Sequence, residues 1–174
     1  MKSPRILPFL LSLLFLFGCD LIDKIRNLEI EIDTEVWKTI PVDITEEDDA
    51  NINEPFTIDA TSDPDIQEYQ SKIKSFDVKE IYIRFLNYFD EVNGDITFNG
   101  TITIGNVYIN VNEKPSEYLG RVMVVTPDQM ALDMLNADLN QDNKLEGSIV
   151  GTVSGKPVSF TMEIYIEFVA IAEE

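Results

Sequence analysis

From Glu29 onward the chain alternates. Ile30, Ile32, Thr34 and Val36 fall between Glu29, Glu31, Asp33 and Glu35, and Ile40, Val42 and Ile44 repeat the pattern after Trp37. A period of two puts successive side chains on opposite faces, so these runs predict strands with one buried face. Pro41 interrupts the second run and cannot donate a ladder hydrogen bond, which predicts an edge or irregular strand. Further on, Asn93-Gly94 is a favoured pair for a two-residue turn. A hairpin there sets Phe89 opposite Phe98, Phe85 opposite Ile102 and Ile83 opposite Ile104 on one face. Tyr82, Arg84, Leu86, Tyr88, Asn99, Thr101 and Thr103 then share the other face. A second turn, at Gly155-Lys156, pairs Val153 with Val158, Gly151 with Phe160, Ile149 with Met162 and Gly147 with Ile164. Its glycines face large residues, an arrangement that makes room for bulky side chains and lets a sheet bend.

Two segments change period. Ser62 or Asp63 followed by Pro64 opens a helix carrying Ile66, Tyr69 and Ile73. Thr126-Pro127-Asp128-Gln129 reads as an N-cap threonine, a proline at the first helical position and a glutamine at the third, and Leu132, Leu135 and Leu139 follow at helical spacing. Strands outnumber helices, and turn signals recur between them. The fold class is therefore mainly β: an antiparallel β-sandwich or partly closed barrel with two accessory α-helices.

Ahead of the strands stands a different kind of segment. Lys2 and Arg5 precede an apolar run from Ile6 to Phe17, too short to cross a bilayer and suited to a secretory leader. The run ends in Leu16-Phe17-Gly18-Cys19, around the only cysteine of the chain. These residues resemble the lipobox of small bacterial lipoproteins, and the resemblance covers about a tenth of the chain. It implies cleavage before Cys19, acylation of that residue, for example by palmitate, and a lipid-anchored protein of the cell envelope. The bilayer is then its first partner, on the periplasmic side of either membrane or at the cell surface. Residues 1–18 are read as the signal peptide, 19–28 as a lipidated tether with Leu21, Ile22, Ile25 and Leu28 at roughly helical spacing, and 29–174 as a single domain.

Charge narrows the partners. The 174 residues hold 32 acids against 13 bases, a formal −19; losing Lys2 and Arg5 with a leader leaves 11 bases and about −21. Nucleic acid and anionic lipid surfaces are repelled by such a chain. With 44% hydrophobic residues it has enough apolar material for a core.

Absences exclude much chemistry. Without histidine, no Ser-His-Asp or Cys-His catalysis is built from this chain alone. A lone cysteine leaves no intramolecular disulfide, and no phosphate-binding glycine loop is present. Carboxylate chemistry survives, which keeps a glycoside hydrolase as one alternative. The sharpest local motif runs from Asp138 to Glu146 and resembles the front half of an EF-hand or dockerin calcium loop. Asp138, Asn140, Asp142, Lys144 and Glu146 mark its alternate positions, Asn143 stands where glycine is usual, and Ile149 stands where a closing glutamate belongs. A polar turn is the simpler reading of the same residues. Glu46-Glu47-Asp48-Asp49 reads as a solvated loop. Tyr82, Tyr88, Asn99, Thr101 and Thr103 form a candidate hydroxyl-rich platform for glycans. The expectation is a non-enzymatic envelope lipoprotein that docks proteins, with a glycan- or calcium-binding module as the alternative; no resident cofactor is implied beyond that calcium.

Overall fold

The computed structural model describes residues 29–91 and 96–173. The leader, the tether and the Asn93-Gly94 turn lie outside the described residues. Among the described residues eight strands are formed: β1 (Glu29–Ile44), β2 (Asn51–Asp59), β3 (Ile73–Asp90), β4 (Phe98–Ile104), β5 (Val107–Glu113), β6 (Val122–Val125), β7 (Lys144–Val153) and β8 (Val158–Glu173). A one-turn helix, α1 (Pro64–Gln67), and a longer one, α2 (Gln129–Asp142), complete the framework. One antiparallel sheet has the order β1-β8-β3-β6 and the other β2-β7-β4-β5. Strands 1 and 8, 2 and 7, 3 and 6, and 4 and 5 are thus neighbours, the arrangement of a long hairpin rolled into two sheets, an eight-stranded jelly roll. The mainly β sandwich expected from the alternation is what forms, as two open sheets and not a closed barrel.

The core is the shared inner face. In β8 every second residue from Val158 to Ala172 is buried, the period-two signature of a central strand. Phe85, Phe98 and Phe160 meet edge to face at centroid distances of 5.6 to 6.4 Å, bringing aromatic residues of both sheets together at the centre. β1, with Pro41, is an edge strand as expected.

The two expected hairpins are not hydrogen-bonded hairpins. β3 lies in the first sheet and β4 in the second, and β7 and β8 are divided in the same way. Phe85 meets Phe98 across the core, while its strand partner is Met162. Gly147 pairs with Phe56 and Gly151 with Gly100. The glycines do make room for rings, but for those of Phe56 and Phe98. A register irregularity after Leu86, with Asn87 at φ 53°, reverses the alternation, so Phe89 is exposed where an inward position was expected. The in-sheet hairpin joins β4 to β5 through Gly105-Asn106, with Ile104 opposite Val107 and Gly105 at φ 52°.

The helices differ in detail from expectation. α1 is capped by Asp63, whose side chain accepts from the Asp65 amide, and buries Ile66; Ile73 already belongs to β3. α2 begins two residues later than read, with Asp128 as N-cap accepting from the Ala131 amide. Its Leu135 and Leu139 are buried. It packs along the part of β3 that the four-residue β6 does not reach. There Asn136 Oδ1 accepts from the Val78 amide at 2.7 Å and Asn140 Oδ1 from the Phe76 amide at 2.6 Å. Two asparagines at i and i+4 take the place of a neighbouring strand.

Candidate functional site

The outer face of the first sheet carries the most unusual surface. Register places Trp37 of β1 beside Tyr165 of β8, Tyr165 beside Tyr82 of β3, and Tyr82 beside Val124 of β6. One apolar row therefore crosses all four strands. Trp37 stacks on Tyr165 at 4.1 Å and Tyr165 on Tyr82 at 4.3 Å, with ring planes 21° and 11° apart. Trp37 is 40% exposed and Val124 57%, with Tyr82 and Tyr165 half-buried between them, so the row reaches solvent at both ends and in part along its middle. Contiguous exposed apolar surface of this kind marks interaction sites on soluble domains. Both faces of Tyr165 are occupied by its neighbours, so the row offers mainly ring edges.

Charges border the row on both sides. On one side Arg84 forms an ion pair with Glu163 and holds its guanidinium 4.6 Å from the Trp37 ring centroid. On the other, two residues along each strand, Glu35, Glu167 and Glu80 stand in direct cross-strand register. A β-bulge between Val78 and Glu80 makes Lys79 and Glu80 consecutive exposed residues. Beside it lies a depression of about 410 Å³ lined by Asp33, Thr34, Glu35, Lys79, Glu167 and Phe168. Lys79 is paired with Asp77. Tyr82 donates its hydroxyl hydrogen to Glu80, and this bond, with burial and the nearby carboxylates, holds its ionisation well above the ordinary tyrosine range. Burial and the charges of Glu167 and Glu35 push Tyr165 up as well, against the opposing Arg84.

The residues read as a platform do not share a face. Tyr82 and Tyr88 belong to β3 in the first sheet, and Asn99, Thr101 and Thr103 to β4 in the second. Tyr88 follows the register irregularity and donates to Asp90. Thr101 donates to Asn110 at 3.0 Å on the opposite surface of the molecule. Trp37 and Tyr165 were not read as site residues. The available signal was an aromatic residue at a polar-face position of an alternating strand: Trp37 two places from Glu35, and Tyr165 between Glu163 and Glu167.

The segment read as a calcium loop is a helix end joined to a strand. Asp138, Asn140 and Asp142 lie on α2, Asn143 caps it at φ 58°, and Lys144 opens β7. Asp138 sits against the Gly105 turn, Asn140 is engaged with Phe76, Lys144 pairs with Asp59 at 3.3 Å, and Glu146 accepts from Thr57 at 2.9 Å. Asn143, at the position where glycine is usual in such a loop, takes a positive φ as a helix cap. Among the described residues, no group of three or more acidic residues is placed to hold a metal ion. In the Glu46 to Asp49 stretch, Asp48 accepts from the hydroxyl and amide of Thr45, which hold its carboxyl below the usual range. Among the described residues, no helix is long and apolar enough to cross a membrane.

No protein-family model matches the chain, and no curated protein matches it. Solved structures similar to it include a decameric BFDV capsid protein, 8% identical, covering 81% of this chain and 99% of that one at a TM-score of 0.46. Desmodium yellow mottle tymovirus is similar at 8% identity, with 85% and 84% covered and a TM-score of 0.41. Mud crab tombus-like virus is similar at 14% identity, with 85% and 82% covered and a TM-score of 0.41.

Proposed function

We propose that this chain is a lipid-anchored, extracytoplasmic lipoprotein of the cell envelope that acts without catalysis, by docking another envelope component on the outer face of its β1-β8-β3-β6 sheet. The anchoring half rests on Lys2, Arg5, the apolar run and Leu16-Phe17-Gly18-Cys19. Acyl groups on both the sulfur and the new amino terminus would hold the chain stably, since one chain alone gives only marginal binding. β1 starts ten residues after Cys19. A tether of that length spans at most roughly 35 Å, so the domain works close to the bilayer. The observation that carries the docking half is the row Trp37, Tyr165, Tyr82 and Val124, exposed at both ends and half-buried between.

The test is labelling with a radioactive fatty acid, followed by membrane fractionation and cross-linking in the native host. The expected result is Cys19-dependent label, membrane recovery and a reproducible cross-linked partner, all lost in Cys19→Ala. Unlabelled, freely released protein would overturn the anchoring, and a labelled protein without a partner would overturn the docking.

A further inference from the structure

We infer that the outer face of the β1-β8-β3-β6 sheet takes a cationic segment of a partner protein, with basic side chains on Glu35, Glu167 and Glu80 and their methylene stems along the edges of Trp37, Tyr165 and Tyr82. This names the partner class for the docking reading above and rests on it.

Three glutamates in one cross-strand row are an unusual choice, because like charges directly opposite one another in a sheet are destabilising. Among the described residues neither Glu35 nor Glu167 has an ion pair; Lys79 is paired with Asp77, and Arg84 with Glu163 on the far side of the rings. Asp33 extends the negative field one step further along the same face. Glu80 has an internal use as acceptor for Tyr82, but Glu35 and Glu167 have no such pairing among the described residues, and arrangements that cost stability without an internal benefit are expected where a protein meets its ligand.

The geometry suits basic side chains. Strands lie about 4.8 Å apart, so the carboxylates span about 10 Å across the sheet, enough for two side chains at i and i+2 of an extended segment, about 7 Å apart. The carboxylate row runs beside the aromatic row, two residues along, so a lysine or arginine can reach the charges while its stem covers ring edges. Arg84 already does this within the chain, over Trp37 and onto Glu163.

Charge also decides against other occupants. A second copy brings the same acidic face and the same net charge, about −21 once Lys2 and Arg5 are lost with the leader, and an anionic bilayer is repelled likewise. A basic protein segment is complementary in both charge and apolar character.

Trp37 is the only tryptophan, so its emission reports on this face alone. The lipidated chain in non-ionic detergent is titrated with a short peptide of alternating arginine and valine, and with a glutamate and valine peptide of equal length. The expected result is a saturable change in Trp37 emission for the arginine peptide only, weakening with salt. The Glu35→Gln, Glu167→Gln double variant should bind at least about tenfold more weakly. Glu46→Gln with Glu47→Gln makes the same charge change beyond the other end of β1 and should leave affinity as it was. Equal response to both peptides, equal loss in both double variants, or no response to either would overturn the inference. A Cys19-dependent partner cross-linked equally well in Glu35→Gln, Glu167→Gln would overturn it too, while leaving the anchored docking role standing. Failure to find any partner in cells would remove that role even where the arginine peptide binds.

Discussion

Asn140 Oδ1 accepts a hydrogen bond from the backbone amide of Phe76 at 2.6 Å, and through it a helix closes the edge of a sheet. Four residues of β6 pair with β3, from Ile81 to Arg84, so the amides of Phe76 and Val78 have no strand partner on that edge, and the asparagines meet them in part-buried hydrogen bonds. Removing one partner of a part-buried hydrogen bond costs about 0.5 to 1.5 kcal/mol. Asn140→Ala and Asn136→Ala should each lower the unfolding free energy by that amount in urea, whereas Gln141→Ala on the exposed side should change it by less than about 0.5 kcal/mol. Equal effects at all three positions would contradict this role for the asparagines.

Gly147 is required by contact. A Cβ there would run into the Phe56 ring and come within 2.6 Å of the Thr103 carbonyl oxygen. The ring can turn aside at a cost, but the backbone oxygen cannot. Gly147→Ala should destabilise by about 1 to 3 kcal/mol, seen as a lower melting temperature in a protein that remains folded. An unchanged melting temperature would show that β7 shifts freely against β4.

Glu167 stands between two like charges. Replacing the middle residue of the Glu35, Glu167, Glu80 row removes both cross-strand repulsions, each worth a few tenths of a kcal/mol. Glu167→Gln should therefore raise stability by roughly 0.5 kcal/mol, a gain of one or two degrees in melting temperature for a domain of this size. The same variant should bind a basic peptide more weakly. A change that stabilised the fold and strengthened binding would contradict the account.

Alkaline pH should lower the protein's stability through its stacked tyrosines. The hydrogen bond to Glu80 first, then burial and the surrounding carboxylates, raises the Tyr82 hydroxyl; burial first, then Glu167 and Glu35, raises Tyr165. Unfolded tyrosines ionise near pH 10, so above that pH the folded chain binds more protons than the unfolded one. The stability these two contribute is fully present below about pH 10 and is lost as pH rises through their folded values. Melting temperatures between about pH 9 and 11 should fall, and Tyr82→Phe should make the fall shallower. An identical slope in wild type and variant would refute the assignment.

Strands were legible because burial on one face leaves a period of two, as in Val158 to Ala172 of β8 and Glu29 to Ile44 of β1. Partners were not. A turn signal fixes where a chain reverses, and the inward residues of two strands face one another both within a sheet and across a sandwich. Phe85 and Phe98 were placed on one inward face, but with Ile102 and Phe89 as their partners; they meet each other, 6.4 Å apart, from opposite sheets. The same error drew Tyr82 together with Thr101. Trp37, Tyr82 and Tyr165 are far apart in the chain, and only the pairing of β8 with both β1 and β3 brings them into one row. Leu135 and Leu139 were legible at helical spacing and are buried on α2; the competing loop reading of Asp138 to Asp142 arose because acidic and amide residues favour turns, and the helix in fact continues through them.

The most direct measurement is site-specific photocross-linking in intact cells of the native host, with the reactive side chain at Thr39 beside Trp37 or at Val150 on the outer face of the other sheet, 52% exposed. The account predicts an adduct with a discrete envelope protein from position 39, none from position 150, and loss of the adduct in Cys19→Ala. Equal adducts from both faces, or adducts from position 150 alone, would contradict it.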